Sequence, residues 1–337
     1  MCRHARGGHR PGARPSDTAA RRLSRFAAVA CCGVVFLDKP VGWSSRRAVD
    51  EVARCFRDGG PPPKAGHTGT LDPLAGGMLP VLLGAATRFA SLGLEADKRY
   101  RLTVDLSFQT TTLDAEGEVI LRSDRWRSLD EAAIAGAIEA LTGTIEQIPP
   151  HFSAVRVGGR RSHALARAGR AKELPPRRVV IHAITLRRLR LPELELEVCC
   201  GKGAYMRALA RDLGARLGCG GCVTALRRLS TGGWPPELMV GIEQLRRDPA
   251  AALHPVEFWL RHLPEVLLDG RNAARFVEGQ RIALAGLPVG GLVRVCCGGR
   301  CLGTARVAPG RRAEGWPVLH PDRVLPRAVT GISPGDV

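Results

Sequence analysis

An aspartate lies in a glycine-rich segment whose composition exceeds the needs of a plain turn. Asp72 precedes Pro73 within residues 64–80, which also contain four glycines that allow close backbone approach to a ligand. Pro73 favours an extended Asp72 and disfavours a regular helix there. An Asp-Pro step alone predicts only a turn, but neighbouring His67 and two threonines favour a functional loop. Asp72 is therefore our candidate catalytic carboxylate.

Two further segments combine a cation with a turn or an aromatic ring. Residues 36–42 run from a strand into a turn that presents Lys39, although a plain turn explains this equally well. Residues 98–101 place basic groups on both sides of Tyr100. Such a cluster suits RNA, because the ring stacks on a displaced base while cations hold phosphates. A merely solvated cluster at the start of a strand is the alternative.

A fourth segment, residues 201–207, joins a predicted strand to a predicted helix. Backbone N–H groups at a helix start can bind an anion, and Lys202 lies in this junction. Tyr205 and Arg207 lie off the apolar stripe of the helix, so we expect them to face something other than the core. The glycine pattern is weak evidence by itself.

The sequence lacks the patterns of several common catalytic machineries. It has no Ser/His/Asp order, no HExxH, no Walker lysine and no dinucleotide fingerprint. The eleven cysteines, several of them adjacent, favour a reduced cytoplasmic protein over a disulfide scaffold. Cys219 and Cys222 have no companion pair, so two thiols in a turn are favoured over a zinc site. We expect chemistry without metal or cofactor, in which an arginine keeps one carboxylate ionised and a tyrosine stacks on a base or moves a proton.

The charge balance points to an anionic partner. Lys and Arg total 50 against 32 Asp and Glu, a formal net charge of +18. Such an excess is typical of proteins that bind a polyanion, although a GC-rich genome that favours arginine codons would also produce it. Aromatic residues make up 4%, which argues against a broad stacking platform for single strands. Residues 1–30 carry seven arginines and predict a disordered basic arm, and the apolar run 26–37 is too short to span a membrane.

The pattern of elements predicts an α+β fold with two domains. Ser44 and Ser45 can cap a helix, and residues 128–131 resemble a capping box before a second helix. Alternation predicts strands at residues 100–107 and 193–198, and apolar spacing predicts a helix from residue 206. We predict a domain over residues 31–250, a small β-rich domain over residues 260–327 and a tail at 328–337.

In this order and spacing, these segments resemble the bacterial TruB-type tRNA pseudouridine synthases. The resembling blocks include GVVFLDKPVGWSS, AGHTGTLDPLAGGMLP, DKRYR, IEQIPPHFSA and KGAYMRALARDLG, between about residues 33 and 229. The chain after residue 263 is similar to the family's PUA-type RNA-binding module, a weaker match. The resemblance implies a mixed, mainly antiparallel sheet flanked by helices, a cofactor-free isomerase, and the T-arm of tRNA as partner. It implies a monomer that needs no obligatory protein partner and does not bind a membrane.

The resemblance also assigns roles. It implies that Asp72 is the nucleophile for uridine 55, that Arg207 is its ion-pair partner and that Tyr100 packs on the base. The positions that it implies for the uridine pocket and its surroundings are His67, Tyr205, Leu226, Lys39 and Lys202. Because the base lies inside a folded loop, it must be flipped out, and His67 is a candidate to fill the gap.

The sequence departs from the family's pattern at two places. Residues 107–112 lack the usual Gly followed by Arg-Thr-Asp-Thr, which removes a cation and an acid near the RNA path. Gly201 and Ala204 replace the commoner hydroxyl residues. Neither change touches Asp72, Tyr100 or Arg207. Two alternatives stay open: a guide-RNA-dependent synthase of the dyskerin type, and an RNA-binding folding chaperone for tRNA.

Overall fold

The computed structural model describes residues 31–153, 156–157, 160–162, 174–287, 289–310 and 315–332. The predicted arm at residues 1–30 and the tail from residue 333 onward lie outside these ranges. The helices are α1 (Ser45–Cys55), α2 (Ala90–Glu95), α3 (Glu131–Glu139), α4 (Met206–Arg216), α5 (Ile242–Arg247), α6 (Pro249–Ala252), α7 (Val256–Leu260), α8 (Gly270–Val277) and α9 (Arg327–Thr330), with 3-10 turns at Gly84–Phe89, Arg125–Ser128 and Pro236–Leu238.

The strands of the first domain are β1 (Gly33–Lys39), β2 (Ala65–His67), β3 (Ala75–Leu83), β4 (Lys98–Asp105), β5 (Phe108–Thr110), β6 (Val119–Arg122), β7 (Gly143–Gln147), β8 (Arg156–Val157), β9 (Arg160–Arg161), β10 (Arg177–Arg190), β11 (Glu193–Cys200), β12 (Cys222–Thr231) and β13 (His254–Pro255). Nine of these described strands form one sheet in the order β13-β1-β3-β12-β4-β11-β10-β7, with β2 beside β3. The pairing of β3 with β12 is parallel and the other pairings are antiparallel, which confirms the predicted mixed, mainly antiparallel sheet.

The central sheet is buried on both faces along β1. Val35 and Leu37 contribute to a core that also holds residues of α1 and α4, whereas Val34 and Phe36 join a second core around Trp234. Neighbouring residues of a strand point to opposite faces, so the two cores lie on opposite sides of the sheet. The first core positions β4, β12 and α4, the elements that carry Tyr100, Leu226 and Arg207.

Capping decides where two of the predicted helices begin. Ser44 caps α1 by accepting a hydrogen bond from the N–H of Arg47, as predicted. The prediction that residues 128–131 form a capping box is wrong. Asp130 caps α3 through the N–H of Ala133, while the Ser128 hydroxyl donates to the carbonyl of Arg125 in the preceding 3-10 turn. The Asp130 side chain accepts from the N–H group three residues later in the chain, and therefore Asp130, and not Ser128, is the N-cap of α3.

A separate β-rich unit follows the first domain, as predicted from the short strands and glycine-rich turns. Its strands are β14 (Glu265–Leu267), β15 (Ile282–Ala283), β16 (Leu292–Cys297), β17 (Arg300–Ala308) and β18 (Val318–Val324), in the sheet order β14-β16-β17-β18-β15. Cys296, Cys301 and Leu325 pack into the second core of the first domain. Over the described ranges, no helix has the length and apolarity needed to cross a bilayer.

Candidate active site

The loop between β2 and β3 presents Asp72 at the edge of the first core. The hydroxyl of Ser45, at the start of α1, donates to the carbonyl of Leu71 and accepts from its N–H, both at 2.8 Å. The carbonyl of Pro73 accepts from the N–H of Gly42 at 2.7 Å. Asp72 is thus held between two anchored neighbours, and its side chain keeps 33% exposure.

Arg207, near the start of α4, grips that carboxylate with two parallel hydrogen bonds. Its Nε lies 2.9 Å from one oxygen of Asp72 and its Nη2 lies 3.0 Å from the other. The arginine side chain is 5% exposed, so the pair is partly withdrawn from solvent. A bidentate, charge-assisted pair fixes the orientation of the carboxylate as well as its charge. The two residues lie far apart in sequence, and the structure brings them together as the resemblance implied.

A second carboxylate, which the sequence analysis missed, contacts the same arginine. Asp114 is buried, and its side chain lies 3.4 Å from Nη1 of Arg207. Its other oxygen accepts from the Thr112 hydroxyl and from the N–H of Glu116. The signal was present in the sequence as an Asp-Ala-Glu-Gly turn, but side-chain capping of a turn explains such a pattern equally well.

Backbone carbonyls saturate the remaining donors of the guanidinium. Nη1 donates to the carbonyl of Thr112 at 3.0 Å, and Nη2 donates to that of Phe152 at 2.9 Å. Arg207 therefore joins Asp72 to two segments from other parts of the first domain. Thr112 belongs to the stretch that departs from the family's pattern, yet it contributes here through its backbone, which any residue type supplies.

A cavity of about 300 Å³ opens beside this ion pair. Its volume is at the lower end of the range for small-ligand sites. Five of the predicted residues line it: Asp72, Tyr100, Tyr205, Arg207 and Leu226. Other lining residues include Gly69, Lys98, Ser153, Gly203 and Arg228.

Tyr100 and Leu226 form adjacent parts of the cavity wall. They lie on the paired strands β4 and β12, in which Tyr100 is opposite Arg228 and Leu226 is opposite Leu102. Gly77, at φ +96°, allows β12 to approach, because a side chain there would collide with the backbone of Arg228. Burial raises the pKa of the Tyr100 hydroxyl against the opposing charge of Arg228, so the hydroxyl stays protonated at neutral pH.

Tyr205 is held by an amide that the sequence analysis passed over. Gln147 is fully buried at the end of β7; its oxygen accepts from the N–H of Tyr205 at 2.8 Å, and its nitrogen donates to the carbonyl of Tyr205 at 3.2 Å. Tyr205 immediately precedes α4. The two hydrogen bonds from Gln147 therefore also fix the start of α4, where Arg207 lies. Burial raises the pKa of the Tyr205 hydroxyl, and a hydrogen bond to Ser153 opposes that shift.

His67 and Lys39 lie beside the cavity and not in its lining. The Nδ1 of His67 accepts from the N–H of Gly69 at 3.2 Å, and burial lowers the pKa of its imidazole, so the ring is neutral. Lys39 is 1% exposed and donates to the carbonyls of Pro40 and Trp43. Burial lowers the pKa of Lys39 to about 8 against the opposing effect of Asp72. The turn after β1 therefore encloses the Lys39 ammonium group and does not present it to solvent.

Two lysines lie where the sequence analysis did not expect them. Lys202 is on the surface, with its side chain 64% exposed, and pairs with Glu95 outside the cavity lining. Lys98, which we expected to hold phosphates, is instead 8% exposed and lines the cavity beside Tyr100. The alternation of β4 explains this, because Lys98 shares the inward parity of Tyr100 and Leu102 while Arg99 and Arg101 point outward.

The described residues hold no cluster of three or more histidine, cysteine or acidic side chains that would suit a metal ion. Cys219 and Cys222 are buried thiols, and burial raises the pKa of each.

Comparison with known proteins identifies the family. Residues 58–206 match the TruB family pseudouridylate synthase N-terminal domain, residues 207–263 match the tRNA pseudouridylate synthase B C-terminal domain, and residues 264–325 match the pseudouridine synthase II TruB C-terminal module. A tRNA pseudouridine synthase B of Cupriavidus metallidurans is 41% identical over 324 residues, covering 92% of this chain and 99% of the relative. One from Burkholderia mallei is 42% identical over 318 residues, covering 91% and 97%.

The fold agrees with that assignment. The chain is similar to a solved structure of a Cbf5-Nop10-Gar1 complex, with a TM-score of 0.66 and 24% identity over 89% of this chain and 87% of the other. The family matches and the curated relatives define a tRNA pseudouridine synthase. The chain belongs to the TruB family, which confirms the resemblance found in the sequence motifs.

Proposed function

We propose that this protein is a tRNA pseudouridine synthase that isomerises uridine 55 of the T-loop, with Asp72 as the nucleophile. The observation that carries the proposal is the bidentate Asp72–Arg207 pair beside a cavity walled by Tyr100 and Leu226. The names of the 41–42% identical relatives support tRNA as the substrate.

The geometry suggests how the ion pair works. Arg207 lies on Asp72 with both N–H donors, so it favours the ionised carboxylate and fixes its direction. Asp114 and two carbonyls hold the guanidinium in turn, so the pair does not have to reorganise during the reaction. In this mechanism Asp72 attacks C1′ of the ribose, and uracil is the group that leaves. Tyr100, with a protonated hydroxyl, packs on the uracil.

Access to the cavity requires base flipping. Extruding a base from a structured loop costs a few kcal/mol. His67 is neutral and half-buried next to the Asp72 loop, where an uncharged ring is suited to occupy the gap left by the base. Lys39 supports the same region from within the turn after β1, and Lys202 contributes at most a surface contact to the RNA.

The net charge of +18 supports binding of the tRNA backbone without a guide RNA. We propose a monomer that needs neither an obligatory protein partner nor a cofactor, in the cytoplasm. The guide-dependent alternative finds support only in the fold shared with a Cbf5 complex, and the folding-chaperone alternative gives no reason for the bidentate pair.

One experiment tests the proposal. Purified protein is incubated with unmodified tRNA transcript, and pseudouridine is mapped by carbodiimide-dependent primer extension. We expect a single stop at position 55 without added RNA, and none in a transcript with cytidine at that position. No modification without a guide RNA would refute the stand-alone enzyme, and a stop at another uridine would refute the position.

A further inference from the structure

Two buried cations in the cavity have no acidic partner among the residues that the structure describes. Lys98 is 8% exposed and Arg228 is 1% exposed. Nζ of Lys98 donates to the carbonyls of Leu94 and Ala96. Arg228 donates to the carbonyls of Met78 and Gly69, at 2.7 and 3.1 Å. Within the described part of the chain, neither cation forms an ion pair, although burying an uncompensated charge is costly.

Strand geometry places this pair of cations along the wall from Tyr100. Lys98 is two residues before Tyr100 on β4, so it points to the same face, about 7 Å along the strand. Arg228 is the direct cross-strand partner of Tyr100. A base that packs on Tyr100 therefore has Lys98 and Arg228 beside it, while Asp72 and Arg207 contact the sugar side of the same cavity in the proposed reaction.

The proposed reaction creates negative charge on the base. When the C1′–N1 bond breaks, the electron pair leaves with uracil, and the charge spreads over N1 and the two carbonyl oxygens. Asp72 takes the place of uracil on C1′ as the C1′–N1 bond breaks. C5 of the turned uracil then attacks C1′ with an electron pair of its ring, the Asp72 carboxylate leaves from C1′, and the proton on C5 is lost to solvent. Fixed cations beside the place where charge develops lower the barrier, because they need no reorganisation.

We propose that Lys98, supported by Arg228, stabilises the uracil anion during its detachment from the ribose. Lys98 lines the cavity and, among the described residues, uses two of its three N–H donors on carbonyls, which leaves the third for a base carbonyl oxygen. This role rests on the proposed isomerisation of uridine. It gives the buried charge a partner that exists only during the reaction, which is the requirement for raising kcat and not merely binding substrate.

Lys98→Met is the main test, with Arg99→Met as its matched control. Arg99 is the next residue, carries the same charge and points to the opposite face towards Glu197. We expect Lys98→Met to slow single-turnover isomerisation by about 10²-fold with the tRNA Kd unchanged. Arg99→Met should leave the rate within about twofold. Equal losses in both variants would overturn the proposal in favour of a general charge effect.

A better leaving group separates electrostatic help from structural support. Fluorine at C5 withdraws electrons and stabilises the uracil anion, so detachment of 5-fluorouracil needs less help. We expect the deficit of Lys98→Met to be several-fold smaller for 5-fluorouridine tRNA than for uridine tRNA, measured as loss of the target nucleoside. An identical deficit for both substrates would show that Lys98 only stabilises the end of α2 through the carbonyls of Leu94 and Ala96. If wild type converts neither substrate, the proposed function itself fails.

The pH profile gives an independent reading that does not depend on a folded Lys98→Met. Burial, and next Arg228, lower the pKa of Lys98 to about 8, whereas Asp97, Glu95 and Cys200 oppose that shift. The charged form is therefore present below about pH 8 and is lost as the pH rises. We expect the wild-type rate to fall through this range.

Lys98→Arg should remove that alkaline limb, since arginine stays charged. Lys39 has a pKa of about 8 as well, and it is intact in this variant. A limb that persists unchanged in Lys98→Arg would therefore belong to Lys39 or another group and overturn the assignment to Lys98.

Discussion

The two charged regions of the cavity differ in how their charge is balanced. Arg207 contacts two carboxylates, so the cluster of Asp72, Arg207 and Asp114 has one excess negative charge. Lys98 and Arg228 contact backbone carbonyls and carry two positive charges. The first region is a preformed ion pair that orients one carboxylate. The second is a positive wall that has no acidic partner within the described part of the chain. One cavity thus carries opposite charges on two parts of its wall.

Removing the charge of Asp72 should have the largest effect. Asp72→Asn keeps the shape of the side chain but not the nucleophile, so we expect single-turnover isomerisation to fall by about 10⁴-fold or more. tRNA affinity should stay within severalfold, because phosphate contacts dominate binding. Asp38→Asn is a matched control, since Asp38 forms a similar bidentate pair with Arg227 outside this cavity. A loss of binding as large as the loss of activity would argue against Asp72 as the nucleophile.

Arg207→Lys should have the second-largest effect, of about 10²-fold to 10³-fold on kcat. Lysine keeps the charge but cannot hold both oxygens of Asp72 and also reach the carbonyls of Thr112 and Phe152. Single-turnover rates and KM measured together distinguish the outcomes. A raised KM with an unchanged kcat and an unchanged pH profile would mean that the bidentate contact of Arg207 serves substrate binding.

Asp114→Asn tests the outer part of the same cluster. Arg207 keeps its pair with Asp72 in this variant, so we expect only an about tenfold loss of kcat. The turn made by Asp114 should also weaken, by about 1–2 kcal/mol in the free energy of unfolding. Thr112→Val removes the two hydrogen bonds from the Thr112 hydroxyl to Asp114 and keeps the carboxylate. If Thr112→Val loses as much activity as Asp114→Asn, the contribution is structural and not electrostatic.

Gln147→Leu should have a smaller effect, of about severalfold on kcat with KM unchanged. The leucine fills the space but frees the backbone of Tyr205, which loses two hydrogen bonds. Tyr205 and the start of α4 are then less precisely placed. Single-turnover rates beside thermal melting check this. A fall in melting temperature without any change in rate would mean that the clamp serves stability alone.

Local signals in the sequence account for much of the fold and for the central residues of the site. The alternation of β4 predicts the strand and the inward Tyr100, and the serines at 44 and 45 predict the start of α1. Asp72 and Arg207 lie on distant segments, so their pairing was predicted from the family's motifs and not from residue spacing.

Asp114 and Gln147 could not be predicted, because their partners lie on other segments of the chain. We expected Lys98 to be exposed, because lysine is rarely buried. The alternation of β4 nevertheless places it on the same inward face as Tyr100, where it is buried. Contacts made through backbone carbonyls cannot be predicted from the sequence, because every residue type has a backbone carbonyl.

Lys202→Met should have the smallest effect and sharpens the contrast with Lys98. Both lysines precede an important tyrosine by two or three residues, yet Lys202 is exposed and paired with Glu95, whereas Lys98 is buried beside Tyr100. Exposed ion pairs contribute little, so we expect kcat to stay within about twofold and tRNA affinity to fall only slightly at low salt. Titrating both variants with tRNA at two salt concentrations checks this. A large, salt-independent loss of kcat in Lys202→Met would show that surface charge, and not position on the cavity wall, decides which lysine matters.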